Sequence, residues 1–355
     1  MADLGLPVVE DLEPIRNAGA PRRRSSGRRT NLALAVLVPL VVFTGILSFA
    51  VGVDLQVDPA AVHAVLALAV ALLTPWKSAV VRRGLRRRRP SRFISAALGT
   101  LVAVALVSGL VQAGGWTDRV GPLTVMQVHV GAGIGALVMV WLHYRSHPVR
   151  FRRIDFDRRS FLRSAGLAGL AALVWSAWES TVRAAGWPGS ERRFTGSHER
   201  GSHDPRGMPV TSWFNDRTPR IRASEWRLRA DGIGLGLSDL DLLPRERVTA
   251  ILDCTGGWYS EQDWEGVRLD RLVEVGEARS VVIRSETGYQ RRFPATDLSG
   301  LWLATHLGGA PLSPGHGFPA RLVAPGRRGF WWVKWVVEIE TSTRPSWIQL
   351  PFPPT

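Results

Sequence analysis

The sequence predicts two unlike halves, an all-α transmembrane bundle followed by an α+β domain. Three observations carry this. Apolar residues form 45% of the chain, yet in the first half they gather into runs of about 20, the length a bilayer core asks of a helix. Arginines cluster between those runs as "PRRRSSGRR", "VRRGLRRRRPSR" and "RSHPVRFRRIDFDRR". Beyond residue 210 the pattern changes to short apolar stretches separated by turn residues.

The four apolar runs of the membrane domain (31–144) cover 32–53, 59–81, 93–113 and 123–144. The connections "DLQVD" and "GGWTDRVG" are poor in arginine, and the others carry the clusters. Positive charge stays inside, so the basic tail (1–30), the 82–92 loop and the 145–159 loop are expected in the cytoplasm. The net charge of +15 is then a topology signal, and nucleic acid is not an expected partner. Membrane lipid is.

Within the apolar runs stand His63 and His129. A ligating side chain inside a membrane segment is a functional candidate by default. Both lie at similar depth from the outer side, which suits axial ligation of one haem iron by two imidazoles. The residues alone also allow a hydrogen bond between helices or a place at the headgroup boundary. "HVGAGIG" offers small residues for a macrocycle or for helix packing, and His143 reads as interfacial. The pattern resembles the membrane cytochromes b that feed periplasmic reductases. That resemblance implies haem b and a quinol or other membrane electron donor.

The junction (145–180) contains "DRRSFLRSAGLAGLAALVWSAW". Arg158, Arg159, Phe161 and Leu162 resemble a twin-arginine export signal, here internal; the other reading is a charged flank before an ordinary fifth helix. Either way residues of about 160–178 make a fifth crossing. The protein is expected as a multi-pass protein of the cytoplasmic membrane, with its C-terminal domain on the periplasmic or extracellular side. Residues 181–210, rich in Gly, Ser, Pro and charge, read as a surface linker, and His198 and His203 within it form only a weak metal pattern.

From 211 to the end, "EWRLRADG", "RVTAILDC", "RSVVIRSETG", "FPARLVAPG" and "VKWVVEIE" read as strands. "WEGVRLDRLVEVG" reads as a short helix burying Val267, Leu269, Leu272 and Val273. Strands with few helices give an α+β domain.

Cys254, in "LDCTGGWYSEQDW", is the single cysteine, so no disulfide framework exists within the chain. The residues alone leave it as a buried small hydrophobe, a nucleophile with His306 or His316 as base, or a metal ligand. "LDCTGGWYSEQDWEGVRLDRLV" followed by "GHGFPARLVAPGRRGFWWVKWVVEIE" resembles the molybdopterin-binding domain of the sulfite oxidase family, over nearly all of 211–341. The resemblance implies a molybdenum–molybdopterin cofactor, with the Cys254 thiolate on the metal and Thr255 beside it. It further implies His316, Arg321 and Lys334 on the pterin phosphate, a polar contact from Asn215, and a phosphate contact at "PGRRG" around Arg327. Three donors converging on one phosphate is sound chemistry in itself.

The chain departs from the family where sulfite is bound. Tyr259 and Phe214 stand where the family places arginines, so a sulfite dianion lacks counter-charge. No counterpart of the family's dimerisation domain is read after "PSWIQLPFPPT". Trp258, Tyr259 and Trp264 suit an apolar substrate mouth, with Tyr259 at the catalytic position, and equally suit a core. The resemblance then leads to the branch pairing a molybdopterin reductase with a haem-bearing membrane subunit. The expected activity is reduction of an S-oxide or N-oxide, small or protein-bound, such as methionine sulfoxide. The alternatives are sulfite oxidation passing electrons into the membrane, and a non-catalytic binding protein on a degenerate pterin fold.

Overall fold

The computed structural model describes residues 25–53, 58–85, 91–146, 151–152, 155, 157–213 and 216–352. Most of the basic N-terminal tail, and Asn215 and Phe214, lie outside them. Five helices come first: α1 (Ser25–Ala50), α2 (Pro59–Leu85), α3 (Ser91–Gly114), α4 (Val125–Ser146) and α5 (Arg158–Ala184). α1 packs on α2, α3 on α4 and α5 on α2. The strands β1 (Arg119–Val120) and β2 (Leu123–Thr124) form a small antiparallel hairpin between α3 and α4. Phe43, Val107, Ile134 and Leu173 point outward, the reverse of a soluble bundle and the expected face toward lipid.

Among the described residues, four stretches are long and apolar enough to cross a membrane: Gly27–Ala50, Phe93–Gly114, Val125–Arg145 and Arg158–Ala184. The described apolar stretch of α2 is the shorter Pro59–Pro75, although the helix runs to Leu85. α5 is longer than the expected 160–178. Asp157 caps its start, its carboxylate accepting the Ser160 amide at 2.7 Å, and so fixes the helix beginning at Arg158.

The remaining elements are β3 (His198–Glu199), β4 (Leu228–Ala230), β5 (Ile233–Leu235), α6 (Leu237–Asp241), β6 (Glu246–Cys254), β7 (Trp258–Arg268), β8 (Ser280–Ser285), β9 (Gln290–Pro294), β10 (Trp302–Leu307), β11 (Ala310–Pro311), β12 (Arg321–Val323) and β13 (Val336–Ser342). One sheet has the order β11-β10-β7-β3, with β12 pairing β10 and β6 pairing β7; the other has the order β5-β4-β13-β8-β9. The core joins Leu252, Trp264, Leu303 and Leu322 of the first to Leu228, Ile283, Phe293 and Ile339 of the second.

Two expectations are corrected here. The helix read over 264–276 is instead the end of β7 followed by a short 3-10 turn, Leu269–Arg271. Trp258, Ser260, Gln262 and Trp264 alternate inward along β7, and the alternation breaks at Gly266 and Val267, both buried, just before the strand ends. Val267, Leu269, Leu272 and Val273 are buried all the same. The stretch 181–210 is not a solvated linker. Thr195, Ser197, His198 and Met208 are buried, and β3 pairs in parallel with β7.

That segment also seats the C-terminal domain on the helices. The last carbonyls of a helix lack partners within it, and here cationic or imidazole groups supply them. Arg328 Nε donates to Phe49 O at 3.2 Å at the end of α1, and Arg192 Nη1 donates to Ala113 O at 3.3 Å at the end of α3. His198 Nε2 donates to Gln112 O. Positive groups at these C-termini also meet the negative end of each helix dipole.

Candidate functional site

Cys254 ends β6, and the turn Thr255-Gly256-Gly257 leads into β7, with Cys254 paired opposite Trp258. The Cys254 Sγ accepts the Gly256 amide at 3.3 Å. Burial pushes the thiol pKa up, opposed by the Gly256 amide, Arg328 and Lys334. The cavity in front of it is lined by His316, Arg321 and Lys334, and also by Thr255, Trp213, Asp216, Trp258, Tyr289 and Phe330.

Neither Arg321 nor Lys334 forms an ion pair among the described residues, although Asp216 favours the charged form of Lys334. Arg321 is 2% exposed. Its Nη1 donates to His316 O at 3.0 Å, its Nε is buried without a partner, and its guanidinium lies over Trp264. Burial lowers its pKa to about 9. Lys334 Nζ donates only to carbonyls, Thr211 O at 3.0 Å and Gly315 O at 2.6 Å. The His316 Nε2–H donates to Met208 O at 3.2 Å, and its Nδ1 lies 2.9 Å from Ser313 Oγ. Burial first, then Arg321 and Lys334, push the His316 pKa down to about 4. A buried guanidinium with an orphaned N–H is costly unless an anion completes it.

The sequence-derived candidates divide accordingly. Cys254, Thr255, His316, Arg321 and Lys334 share one cavity. Arg327 does not join them; its guanidinium pairs with Asp297 at 2.7 Å. Its neighbour Arg328 points inward instead, bonding Asp253 and, at 3.4 Å, Cys254 O. Tyr259 is also elsewhere. It pairs across the ladder with Asp253 and lies under Arg193, on the opposite face of the β-ladder from Cys254 and Trp258. The catalytic role expected for Tyr259, and the argument against sulfite drawn from it, therefore lose their footing. Trp264 is core, fully buried against Trp332. His198 and His203 do not meet: one bonds Gln112 O, the other lies 3.3 Å from Glu261. Sequence reasoning missed Asp216 and Tyr289 on the cavity wall, and Asp253. That buried carboxylate accepts from Thr195 Oγ1 at 2.8 Å, Ser197 Oγ at 2.7 Å, Arg193 at 3.2 Å and Arg328. The one available signal was an acid beside the cysteine.

The two membrane histidines do meet. Each is the fifth residue of its helix, α2 or α4, and their ring centroids are 5.8 Å apart with planes at 87°. The His63 Nδ1–H donates to Val41 O at 3.0 Å, with Thr44 Oγ1 at 3.4 Å. The His129 Nδ1–H donates to Ala105 O at 2.8 Å, with Ser108 Oγ at 3.4 Å. Gly45 and Gly109 give the rings room, since a Cβ at either would lie 3.1 Å from the imidazole. Nδ1 is thus engaged on both rings, and Nε2 is the atom left for a ligand.

A cysteine at a strand end, facing a pocket of unpaired cations, defines a site for an anionic, thiolate-ligated cofactor. Residues 215–348 match the oxidoreductase molybdopterin binding domain. Among curated proteins it is similar to the NADPH nitrate reductase of Mycosarcoma maydis, 49% identical over 227 residues, covering 45% of this chain and 23% of that one. It is also similar to the uncharacterised oxidoreductase YuiH of Bacillus subtilis (29%, 33% of this chain, 65% of that one) and to mitochondrial sulfite oxidase of Rattus norvegicus (28%, 36% of this chain, 31% of that one). The chain spans less than two thirds of the length of each. The residues present fit a molybdopterin: a thiol for the metal, and Arg321, Lys334 and His316 for a phosphate that would occupy the orphaned Arg321 N–H.

Proposed function

We propose that this chain is a membrane-anchored molybdenum oxidoreductase. In this reading it removes oxygen from a neutral S-oxide or N-oxide, small or protein-bound, using electrons from a quinol or other membrane donor by way of a haem b at His63 and His129. The observation that carries the reading is the lining of the Cys254 cavity. His316, Arg321 and Lys334 line it together with Asp216 and the aromatic side chains of Trp213, Tyr289 and Phe330. The basic groups suit the pterin phosphate. The aromatic wall with its single carboxylate suits a neutral or cationic oxide and disfavours a dianion.

Molybdenum held by the pterin and Cys254 supplies two-electron oxygen-atom transfer, and haem supplies single-electron carriage. The substrate takes up two electrons and two protons, and its oxygen leaves as water. Trp213, Tyr289 and Phe330 line the approach and exclude bulk water, while Asp216 at the wall can hold a proton or a positive group of the substrate. Arg158 and Arg159 open α5 with no acid in its first turn, against the helix dipole, and a role in export or topology accounts for them. Export of the folded domain to the outer face of the cytoplasmic membrane would let the cofactor be inserted beforehand. The similarity to sulfite oxidase supports one second reading, oxidation of sulfite with electrons passing into the membrane.

Metal analysis and a substrate panel decide between them. Wild type should contain molybdenum that Cys254→Ser loses, and a b-type band that His63→Ala loses. Dithionite-reduced enzyme should be reoxidised by methionine sulfoxide or trimethylamine oxide. If sulfite reduces the metal and no oxide reoxidises it, the direction is reversed.

A further inference from the structure

The imidazole pair and the Cys254 turn belong to different halves of the chain, and two matched stripes join them. On α1 the stripe is Val41, Thr44, Gly45 and Ser48; on α3 it is Ala105, Ser108, Gly109 and Gln112. Both run i, i+3, i+4, i+7 along one helix face. In each, the carbonyl, the hydroxyl and the glycine clamp one imidazole, and the last residue reaches out of the bundle. Ser48 Oγ donates to Thr195 O at 3.4 Å. Gln112 Nε2 donates to Gly196 O at 3.3 Å and to Gly257 O at 3.2 Å.

Gly257 closes the cysteine turn, its amide donating to Cys254 O at 3.1 Å. Its φ is +92°, and a Cβ there would lie 2.8 Å from Gln112 Nε2. The conformation therefore requires glycine, and a Cβ there would push the Gln112 amide aside. From Gly109, which touches the His129 ring, to Gln112 is a rise of about 4.5 Å. Two hydrogen bonds then lead to the backbone of Cys254. The α1 stripe ends less directly. Its landing residue Thr195 reaches Asp253 through its hydroxyl at 2.8 Å, one residue short of the cysteine.

We propose that Gln112 is a positioning residue that couples the His63–His129 site to Cys254. Its amide holds the 254–257 turn against α3 and supplies the bonded route between the two sites. A continuous bonded route carries electronic coupling better than a gap of equal length, and a fixed contact keeps that gap constant. Gln112 is neither oxidised nor protonated; the two electrons each oxide consumes cross one at a time, drawn from the membrane donor. The inference rests on the haem and molybdenum reading above.

The test is laser-flash photolysis of the holoenzyme with deazaflavin as electron source. Decay of the reduced b-type band reports onward transfer to molybdenum without any substrate. Gln112→Met keeps the volume and removes both donors. Decay should slow measurably, with molybdenum content and haem spectrum unchanged. In cofactor-free protein the Gly257 amide should exchange about tenfold faster. Unchanged decay with both cofactors present overturns the bridge. Slowed decay that comes with lost molybdenum reduces Gln112 to a structural role and overturns it too. A wild-type chain with no b-type band sinks the haem reading, and the bridge with it. Should Gln112→Met fail to fold, Gln112→Glu serves: ionised it donates nothing, so its decay should recover as the pH falls, and a pH-independent decay contradicts the bridge.

Discussion

At the scale of the residue, Lys334 is the group whose state turns most on what it binds. Burial first, then Arg321, lower its pKa from 10.5 to about 7, with Cys254 and Asp216 pulling the other way. Unfolded, the same ammonium keeps its proton up to about 10.5. Between these values the unfolded chain binds more protons than the folded one, so stability rises with pH across the window and is lost as pH falls toward 7. Arg321, lowered to about 9, adds the same sign above that pH. Lys334 therefore dominates between 7 and 9, with a slope of at most about 1.4 kcal/mol per pH unit. Melting curves of cofactor-free protein should show this slope in wild type and a flat response in Lys334→Met. Parallel slopes in the two would mean that Lys334 titrates normally. His316 gives a lower window of the same sign, from about 4 up to 6.5. A bound phosphate offsets these penalties by giving the buried cations a counter-charge.

At the scale of the element, β6 and β8 are legible in the sequence because β-branched residues run between turn signals in "RVTAILDC" and "RSVVIRS". The end of β7 is not. "GVRLDRLVEVG" carries apolar residues at spacings of two, three and one, and only pairing with β10 decides for strand. The segment 181–210 reads as solvated because its burial comes largely from small polar residues, Thr195 and Ser197, whose hydroxyls are satisfied by Asp253. Composition cannot reveal a partner 56 residues away. The same holds for the site. Cys254, His316, Arg321 and Lys334 are visible through a motif, whereas Asp216, Tyr289 and Arg328 acquire meaning only from the fold. The helical hairpins stand between these cases. His63 and His129 are evident, but the glycines facing them are not, since "TGILS" and "SGLVQ" look like ordinary helix. Those glycines carry the next prediction. Gly45→Leu or Gly109→Leu should abolish the b-type band, because even a Cβ lies 3.1 Å from the ring and the larger side chain must displace it. Molybdenum content should hold. A normal haem spectrum in both variants would show that the imidazoles do not depend on this clamp. Gly99, where a Cβ would meet nothing within 4 Å, gives the control, Gly99→Leu.

At the scale of the whole molecule, every arginine-rich end lies away from the catalytic domain. α1, α3 and α5 begin beside the clusters, at Ser25, Ser91 and Arg158, and α2 and α4 finish beside them, at Leu85 and Ser146. The C-terminal domain touches the opposite ends, through Ser48, Phe49, Gln112 and Ala113. A tryptophan cluster, Trp116, Trp178 and Trp187, with centroids 5.1 to 5.9 Å apart, lies at that same end, where aromatic residues favour a membrane–water boundary. Charge, docking and aromatic placement thus agree on one axis, which a positive-inside bias would orient with the arginine clusters in the cytoplasm. α2 is the weak point, because its described apolar stretch is only Pro59–Pro75. If it dips in without crossing, the alternation of cytoplasmic and outer connections expected from the arginine clusters would break. Alkaline phosphatase fusions test this directly. A fusion after Thr355 should be active and one after Arg150 inactive, with the α2–α3 loop inactive as well. An active fusion in that loop would mean that α2 does not return to the cytoplasm, and the arginine clusters would lose their meaning as a topology signal.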